Sequence, residues 1–290
     1  MSIRIIPRLD IKGPNLVKGI HLEGLRVLGR PERFAKHYSE TGADELLYMD
    51  VVATLYGRNN LLDIVSRTSR EIFIPLTVGG GIRSLDDIRA VLRAGADKVA
   101  INTAAIARPE FIREASRQFG SSTIVVSIEA MRNPDGSYEA YTNNGREKTG
   151  LDACEWAARA ANLGAGELMV TSIEREGTGG GFDLELTHRI ATAVPIPVIA
   201  CGGAGAVEHV KDVIDHGAAD AVSIASMLHY RVARERPATG EELNGEGNHD
   251  FLRSQQDYMH SRGATIGEIK HYLRKHGFSC RIPHATVAYA

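Results

Sequence analysis

Short runs of apolar residues alternate along the chain with longer segments in which apolar positions recur every three or four residues. The short runs have the length of strands that are buried on both faces, and the longer segments have the period of amphipathic helices. Strands are predicted at residues 3–7, 45–50, 74–78, 98–101, 123–129, 167–171, 197–200 and 221–224. Helices are predicted at residues 32–41, 85–94, 109–118, 151–163, 184–194 and 207–216.

The two halves of the chain resemble each other. The segment GADEL at 42–46 reappears as GAGEL at 164–168, and GAD at 95–97 reappears as GAAD at 217–220, both at an offset of 122 residues. VGGG at 78–81 and ACGG at 200–203 share that offset. Four βα units that occur twice predict a (βα)8 TIM barrel of the α/β class, in preference to an open doubly wound sheet or two separate α/β domains.

We therefore expect one TIM-barrel domain over residues 1–290, with half-barrels at about 1–120 and 121–230. Two segments depart from the repeat. Residues 133–148 contain Asp135-Gly136 between β-forming residues, which predicts a hairpin at the carboxyl end of the fifth strand. Residues 231–262 are polar and of mixed charge, which predicts a flexible insertion before a C-terminal helix within 263–290, near 265–276.

Composition narrows the range of functions. The 34 Lys and Arg residues nearly balance the 36 Asp and Glu residues, so the net charge of −2 gives no field for holding nucleic acid or an anionic membrane. The three cysteines are widely spaced, and neither a metal site nor a redox cofactor is indicated. The N-terminus lacks the apolar core of a signal peptide, and charges interrupt the apolar runs, so we expect a cytoplasmic protein without a membrane span.

Two carboxylates are predicted to face each other across the upper mouth of the barrel. Asp10 follows the first strand and Glu129 ends the fifth, half a barrel away. Because active sites of TIM barrels lie at the carboxyl ends of the strands, these groups are candidates for a catalytic acid and base. The alternative is that they are solvated or capping groups.

Two glycine clusters are candidate phosphate sites. Gly79-Gly80-Gly81 follows the third strand, with Asn102 and Thr103 after the fourth. The second cluster, at residues 201–205, follows the seventh strand, with Ala225 and Ser226 after the eighth. Glycine-rich turns let backbone N–H groups approach an anion, although either cluster alone can be a simple tight turn. As a related pair, they predict a substrate that carries a phosphate at each end.

Four charged residues begin strands and are expected at the lower mouth. If they point inward, they form a ring of two cations and two anions: Arg4, Glu45, Lys98 and Glu167. Charges inside a barrel need partners, so the ring is either a stabilising ionic plug or a gate for a small polar molecule.

These residues together resemble the cyclase-subunit family of imidazole glycerol phosphate synthase, which belongs with the isomerase and cyclase barrels of histidine biosynthesis. The resemblance covers about residues 3–230 and resumes at 265–268. It is carried by phrases such as Leu9-Asp10, LVKG at 16–19, PLTVGGGI at 75–82, INT at 101–103 and GGAG at 202–205. The resemblance implies a lyase that pairs with a glutaminase, which would bind the N-terminal face of the barrel near Asp97 and Lys98.

The family's chemistry implies roles for particular residues. Ammonia from the glutaminase would enter at the bottom, cross the barrel and react at the top with a bisphosphorylated ribulosyl substrate, giving imidazole glycerol phosphate. Asp10 and Glu129 would be catalytic, the ring of four charges would be the ammonia gate, and no cofactor or metal would be required. Substrate or its phosphates would contact Lys18, which the resemblance places in the loop after strand one, and Asp50, Gly80, Gly81, Asn102, Thr103, Thr171, Glu176, Gly202, Gly203, Ala225 and Ser226.

Several departures from the family pattern keep other functions open. The family has Asp where this chain has Glu129, Glu174 and Glu176, and a small residue where this chain has Arg8. A longer carboxylate side chain disturbs near-attack geometry. The chain also resembles a second copy of the subunit from surface-polysaccharide clusters, which passes ammonia to a sugar amidotransferase that makes acetamidino sugars for lipopolysaccharide. A non-catalytic phosphate-binding scaffold and the sister isomerase are further alternatives.

Overall fold

Eight parallel strands close into a barrel, which confirms the predicted TIM-barrel fold. The computed structural model describes residues 2–52, 61–236 and 262–282. In order round the barrel, the strands are β1 (Arg4–Lys12), β4 (Leu46–Asp50), β5 (Leu76–Gly79), β6 (Lys98–Ile101), β7 (Ile124–Arg132), β10 (Glu167–Ser172), β11 (Val198–Cys201) and β12 (Ala221–Ile224). Closure is complete because β10 pairs with both β7 and β11, and β12 pairs with β1.

Helices surround the barrel, and the six predicted from the sequence are present with their ends shifted by one or two residues. Some begin at strong caps: the Ser84 side chain accepts from the backbone of Asp87 and Asp87 bonds back, a capping box. The described helices are α1 (Pro31–Glu40), α2 (Leu61–Ser69), α3 (Leu85–Arg93), α4 (Thr103–Ala107), α5 (Glu110–Phe119), α6 (Ala153–Asn162), α7 (Leu184–Ala193), α8 (Val207–Asp215), α9 (Ser226–Glu235) and α10 (Ile266–Lys275). None of these helices is long and apolar enough to cross a bilayer.

Side chains on the first strand alternate between two cores. Ile5, Leu9 and Ile11 pack with the helices outside the barrel, whereas Ile6 packs with residues of the barrel interior. Since successive strand residues point to opposite faces, Arg8 and Asp10 lie on the interior side together with Ile6. The alternation places three ionisable side chains of one strand, Arg4 among them, along the inside of the barrel.

Antiparallel hairpins extend two of the barrel strands, and the sequence analysis predicted one of the two. After β7, the predicted hairpin is confirmed as β8 (Tyr138–Thr142), and β9 (Glu147–Asp152) adds a further strand. After β1, the chain forms β2 (Asn15–Ile20) and β3 (Glu23–Gly29), which the sequence analysis missed. The hairpin replaces the expected loop, so Lys18 lies on a buried strand.

The hairpins also correct where the predicted barrel strands end. We expected Asp10 to follow its strand and Glu129 to end its own, but both lie within strands. Asp10 is opposite Val17 of β2, and Glu129 is opposite Tyr141 of β8. The antiparallel partners continue the hydrogen-bonded ladder beyond the point where the parallel barrel stops.

The prediction of a flexible insertion over 231–262 is wrong for its first residues. Residues 231–235 continue helix α9, with Val232 and Ala233 buried against the core. Residues 237–261 lie outside the described residues, as do residues 283–290 of the predicted C-terminal helix. The helix that is described there, Ile266–Lys275, agrees with the expected position near 265–276.

The sequence repeat corresponds to matching local structure in the two halves. Asp97 accepts a hydrogen bond from the backbone N–H of Leu76 (2.8 Å), and Asp220 accepts one from Val198 (2.9 Å). Asn102 (φ −131°, ψ −84°) and Ala225 (φ −118°, ψ −83°) have nearly the same unusual backbone conformation before their helices. The same hydrogen bond and the same backbone conformation thus occur at equivalent positions of the two halves, as duplication of a half-barrel predicts.

A buried histidine fixes helix α9 against strand β1. His229 Nε2 lies 2.6 Å from the carbonyl oxygen of Arg8, and Nδ1 lies 2.7 Å from the Tyr38 hydroxyl. A carbonyl can only accept, so Nε2 carries the proton and Nδ1 accepts from Tyr38. Burial lowers the pKa of His229 to about 4, which keeps the ring neutral.

We expect the contribution of His229 to the free energy of unfolding to decrease as the pH falls below neutrality. Unfolded His229 takes up a proton near its ordinary pKa of 6.5, whereas folded His229 does so only near 4. Its contribution is therefore complete above the unfolded pKa and is lost as the pH falls toward the folded one, by about 3 kcal/mol in all. Urea unfolding of the wild type and of His229→Gln at a series of pH values measures this, and the stability of the wild type relative to the variant should decrease as the pH falls from 7 to 4. Equal pH dependence in the two proteins would contradict this prediction.

Candidate active site

A cavity of about 350 Å³ opens at the upper mouth on one side of the barrel. Its walls come from the carboxyl ends of β4, β6 and β7 and from the turn after β5. Side chains from several depths contribute, from Ala100 and Ser127 inside the barrel up to Asn144 of the hairpin loop. The predicted site residues that line it are Asp50, Gly80, Gly81, Asn102, Thr103 and Glu129.

Glu129 is the catalytic candidate that faces this cavity. Its Oε2 accepts hydrogen bonds from the side-chain amide of Asn102 (3.2 Å) and the backbone N–H of Gly145 (2.8 Å). Burial disfavours the charged form and raises the pKa of Glu129 to about 7, although the charge of Arg8 acts in the opposite direction. A carboxyl group that titrates near neutrality can both donate and accept a proton at physiological pH.

The first glycine cluster forms one wall of the cavity. Gly80 has φ +94°, and a Cβ atom there would lie 2.3 Å from the carbonyl oxygen of Asp50. Only glycine therefore fits this turn, which brings backbone close to the space above Asp50. Asn102 and Thr103 border the same space at the start of α4. This wall has the backbone approach and polar side chains that a phosphate group requires.

Asp10 does not line the cavity but lies in a buried ionic cluster. Its Oδ1 accepts from Arg8 Nε (2.8 Å) and its Oδ2 from Lys18 Nζ (3.3 Å), and Lys18 also pairs with Glu176. All four side chains are at most 4% exposed. Burial opposes ionisation of Asp10, but the charges of Arg8 and Lys18 outweigh it and lower its pKa. We call Arg8, Asp10, Lys18 and Glu176 the upper ionic cluster.

The second glycine cluster adjoins the upper ionic cluster and lies outside the lining of the 350 Å³ cavity, as far as the described residues define it. A Cβ atom at Gly202 would lie 3.2 Å from Glu176 Oε2, so the glutamate carboxylate lies close to this turn. Gly203 (φ +110°) packs against the carbonyl oxygen of Gly181. Ser226 Oγ is buried and has no hydrogen-bond partner among the described residues, and Ala225 precedes it. Thr171 lies deeper, with its Oγ1 3.5 Å from Arg8 Nη1.

At the lower mouth, the four predicted charged residues form a closed ring. Arg4 Nη1 lies 2.6 Å from Glu45 Oε1 and 2.8 Å from Glu167 Oε1. Lys98 Nζ lies 3.1 Å from Glu45 Oε2 and 3.3 Å from Glu167 Oε2. Each anion is thus shared by both cations, as the predicted inward orientation requires.

Sequence reasoning missed several residues of the upper mouth. Arg8 was noted only as a departure from a pattern, yet it is the centre of the upper ionic cluster. Ser127 lies two residues before Glu129 and lines the cavity beneath it. The two-residue period of a strand could have identified both, because residues at i and i−2 share a face. The N–H of Gly145 comes from the hairpin loop, and no local pattern relates that loop to Glu129.

A family model described as "Histidine biosynthesis protein" matches residues 4–234. The chain is 58% identical over 207 residues to "Imidazole glycerol phosphate synthase subunit HisF" of Legionella pneumophila, covering 71% of this chain and 98% of that protein. It is 50% identical over 227 residues to the subunit of the same name of Alkaliphilus metalliredigens (78% and 90%), and 51% identical over 233 residues to that of Trichormus variabilis (79% and 91%).

Proposed function

The chain belongs to the histidine biosynthesis protein family, and on that premise we propose that it is the cyclase-type barrel subunit of a glutamine amidotransferase pair. In this proposal it uses ammonia from a glutaminase on a bisphosphorylated ribulosyl aminoimidazole carboxamide substrate and forms imidazole glycerol phosphate. The names of its relatives support the cyclase activity. Its cytoplasmic location stays a prediction.

The position of Glu129 is the observation that carries the proposal. The carboxyl group borders a cavity whose other wall, at Gly80 and Gly81, suits a phosphate group. A substrate anchored there by one phosphate would place its reactive carbon atoms near Glu129. Addition of ammonia to the substrate produces a nitrogen that must lose protons, and a carboxylate with a pKa near 7 can accept one and return it in a later step.

The lower mouth is the proposed entry for ammonia and the proposed face for the glutaminase. Ammonia would have to pass the ring of Arg4, Glu45, Lys98 and Glu167, which is a network of ion pairs that must rearrange to let it through. Phe73, in the loop that precedes β5, is 94% exposed beside a surface groove that includes Asp97. An exposed aromatic side chain of this kind is typical of a protein interface.

A second candidate function rests on the upper ionic cluster. Glu176 lies close to Gly202, and a second substrate phosphate would have to displace it from Lys18. Asp10, the other expected catalytic group, is engaged by two cations. These contacts favour a paralogue that receives ammonia but passes it to a sugar amidotransferase, which would make acetamidino sugars for lipopolysaccharide.

We expect purified protein to form imidazole glycerol phosphate from the bisphosphorylated ribulosyl substrate when excess ammonium salt replaces the glutaminase. Glu129→Gln keeps the size of the side chain but removes its proton exchange, so kcat should fall about 10²–10⁴-fold. Product formation followed by chromatography measures both rates. Glu139→Gln, which changes a partly buried carboxylate of strand β8 outside the cavity lining, is the matched control.

No turnover by the wild type, with substrate binding retained, would contradict the cyclase proposal. If Glu129→Asp then restores turnover, the paralogue is favoured, because its cavity would be intact apart from the length of one side chain. If no acceptor is converted but the glutaminase is still stimulated, the protein is a phosphate-binding scaffold.

The ring makes a separate prediction about coupling to the glutaminase. Lys98→Met removes one cation and leaves Glu45 and Glu167 with Arg4, so the ring no longer neutralises its anions or rearranges in the same way. The ratio of glutamine-dependent to ammonium-dependent turnover in the complex should fall. Lys36→Met, which removes an exposed cation of a surface pair, should leave the ratio unchanged. An unchanged ratio in Lys98→Met would identify the ring as a structural plug.

A further inference from the structure

Arg8 is a fully buried guanidinium inside the barrel, with Asp10 as its carboxylate partner. Both side chains come from the same face of β1, two residues apart, and Nε donates to Asp10 Oδ1 at 2.8 Å. Nη1 reaches across the interior to within 3.5 Å of Thr171 Oγ1 and Cys201 Sγ. Nη2 is buried and finds no acceptor among the described residues. Because Arg8 has so few hydrogen-bond acceptors, its charge is stabilised mainly by the carboxylate of Asp10.

Asp10 is held from two sides. Lys18 of β2 binds its second oxygen, and Glu176, in the loop after β10, binds Lys18 in turn. The upper ionic cluster contains two cations and two anions and is therefore neutral. Protonation of Asp10, or its movement toward a ligand, would leave Arg8 as a buried cation without a counter-ion, which is strongly unfavourable.

Glu129 is in the opposite situation. Its two hydrogen bonds come from uncharged donors, Asn102 and Gly145. Arg8 and Asp10, across the mouth, affect it only through their charges, and these act in opposite directions. The side chain borders the cavity, where Asp10 does not. Asp10 and Glu129 therefore differ in partners, in charge environment and in access to a ligand.

We propose that Arg8 is a positioning residue that holds Asp10 as a locked, buried anion outside the cavity, so that of these two carboxyl groups only Glu129 exchanges protons with a bound ligand. Asp10 and Glu129 thus have unequal roles in acid–base chemistry. Asp10 acts as a fixed negative charge that keeps Lys18 and Arg8 in place. The proposal rests on the proposed function for what the proton of Glu129 does, but the division between the two carboxyl groups can be measured without any substrate.

The test is a pH titration of the whole protein carrying ¹³C in the side-chain carboxyl groups of Asp and Glu, followed by NMR. Asp10→Asn and Glu129→Gln assign the two signals. We expect Glu129 to titrate near neutral pH and Asp10 to stay ionised into the acidic range. In Arg8→Met, the Asp10 titration should move upward by about one to three pH units, since an adjacent opposite charge lowers a carboxyl pKa by that amount. Arg8→Lys should restore the low value.

Arg4→Met is the matched control, because it removes a cation from the same face of the same strand that contacts Glu45 and Glu167 instead of Asp10. It should not move the Asp10 titration. Asp10 that titrates near neutrality in the unaltered protein, or at an unchanged pH in Arg8→Met, would overturn the proposal. If Arg8→Met does not fold, the wild-type titration still tests the locked anion, and Arg8→Gln replaces the methionine variant.

Because the titration needs no substrate, its result is independent of turnover. An Asp10 that behaves as expected in a protein without cyclase activity would support the role of Arg8 and contradict the proposed function. Cyclase activity together with an Asp10 that Arg8 does not influence would do the reverse.

Discussion

A charge inside a closed barrel needs an opposite charge beside it, because the apolar side chains around it cannot solvate it as water would. The structure meets this requirement twice, with two cations and two anions each time. The lower ring shares two carboxylates between Arg4 and Lys98, and the upper ionic cluster links Arg8 and Lys18 to Asp10 and Glu176. Between the two clusters, the interior is mainly apolar, with residues such as Ile6, Val125 and Met169.

The upper cluster decides which carboxyl group remains available for chemistry. Asp10 serves as the counter-ion of Arg8. Glu129 accepts hydrogen bonds only from neutral donors and lies at the edge of the cavity. Glu176 of the same cluster also lies against the second glycine turn, at Gly202, whereas the first turn, at Gly80, borders the cavity. The mouth of this barrel therefore works from one side, although its backbone is built from two similar halves.

The fold and half of the mouth could be predicted from the sequence for definite physical reasons. The strands of a parallel barrel are apolar on both faces. The offset of 122 residues between related segments shows that a set of four βα units occurs twice, which gives the eight units of a barrel. The position of Arg4 and Lys98 at the lower mouth follows from their place at the starts of strands, whereas their inward direction is seen only in the ion pairs that they form. The hairpin of β2 and β3 could not be predicted, because Lys18 and Arg26 interrupt its apolar positions and suggest a solvated loop. Nor could the pairing of Arg8 with Asp10, because the period of a strand places both side chains on one face but does not show which groups they contact.

The most direct test of this account is a crystal structure of Glu129→Gln with the bisphosphorylated ribulosyl substrate bound. We expect one phosphate against Gly80, Gly81 and Thr103, the reactive carbon atoms beside position 129, and Asp10 still bound to Arg8 and Lys18. A substrate that contacts Asp10 directly, with Arg8 displaced from it, would contradict the central claim that this mouth works from one side.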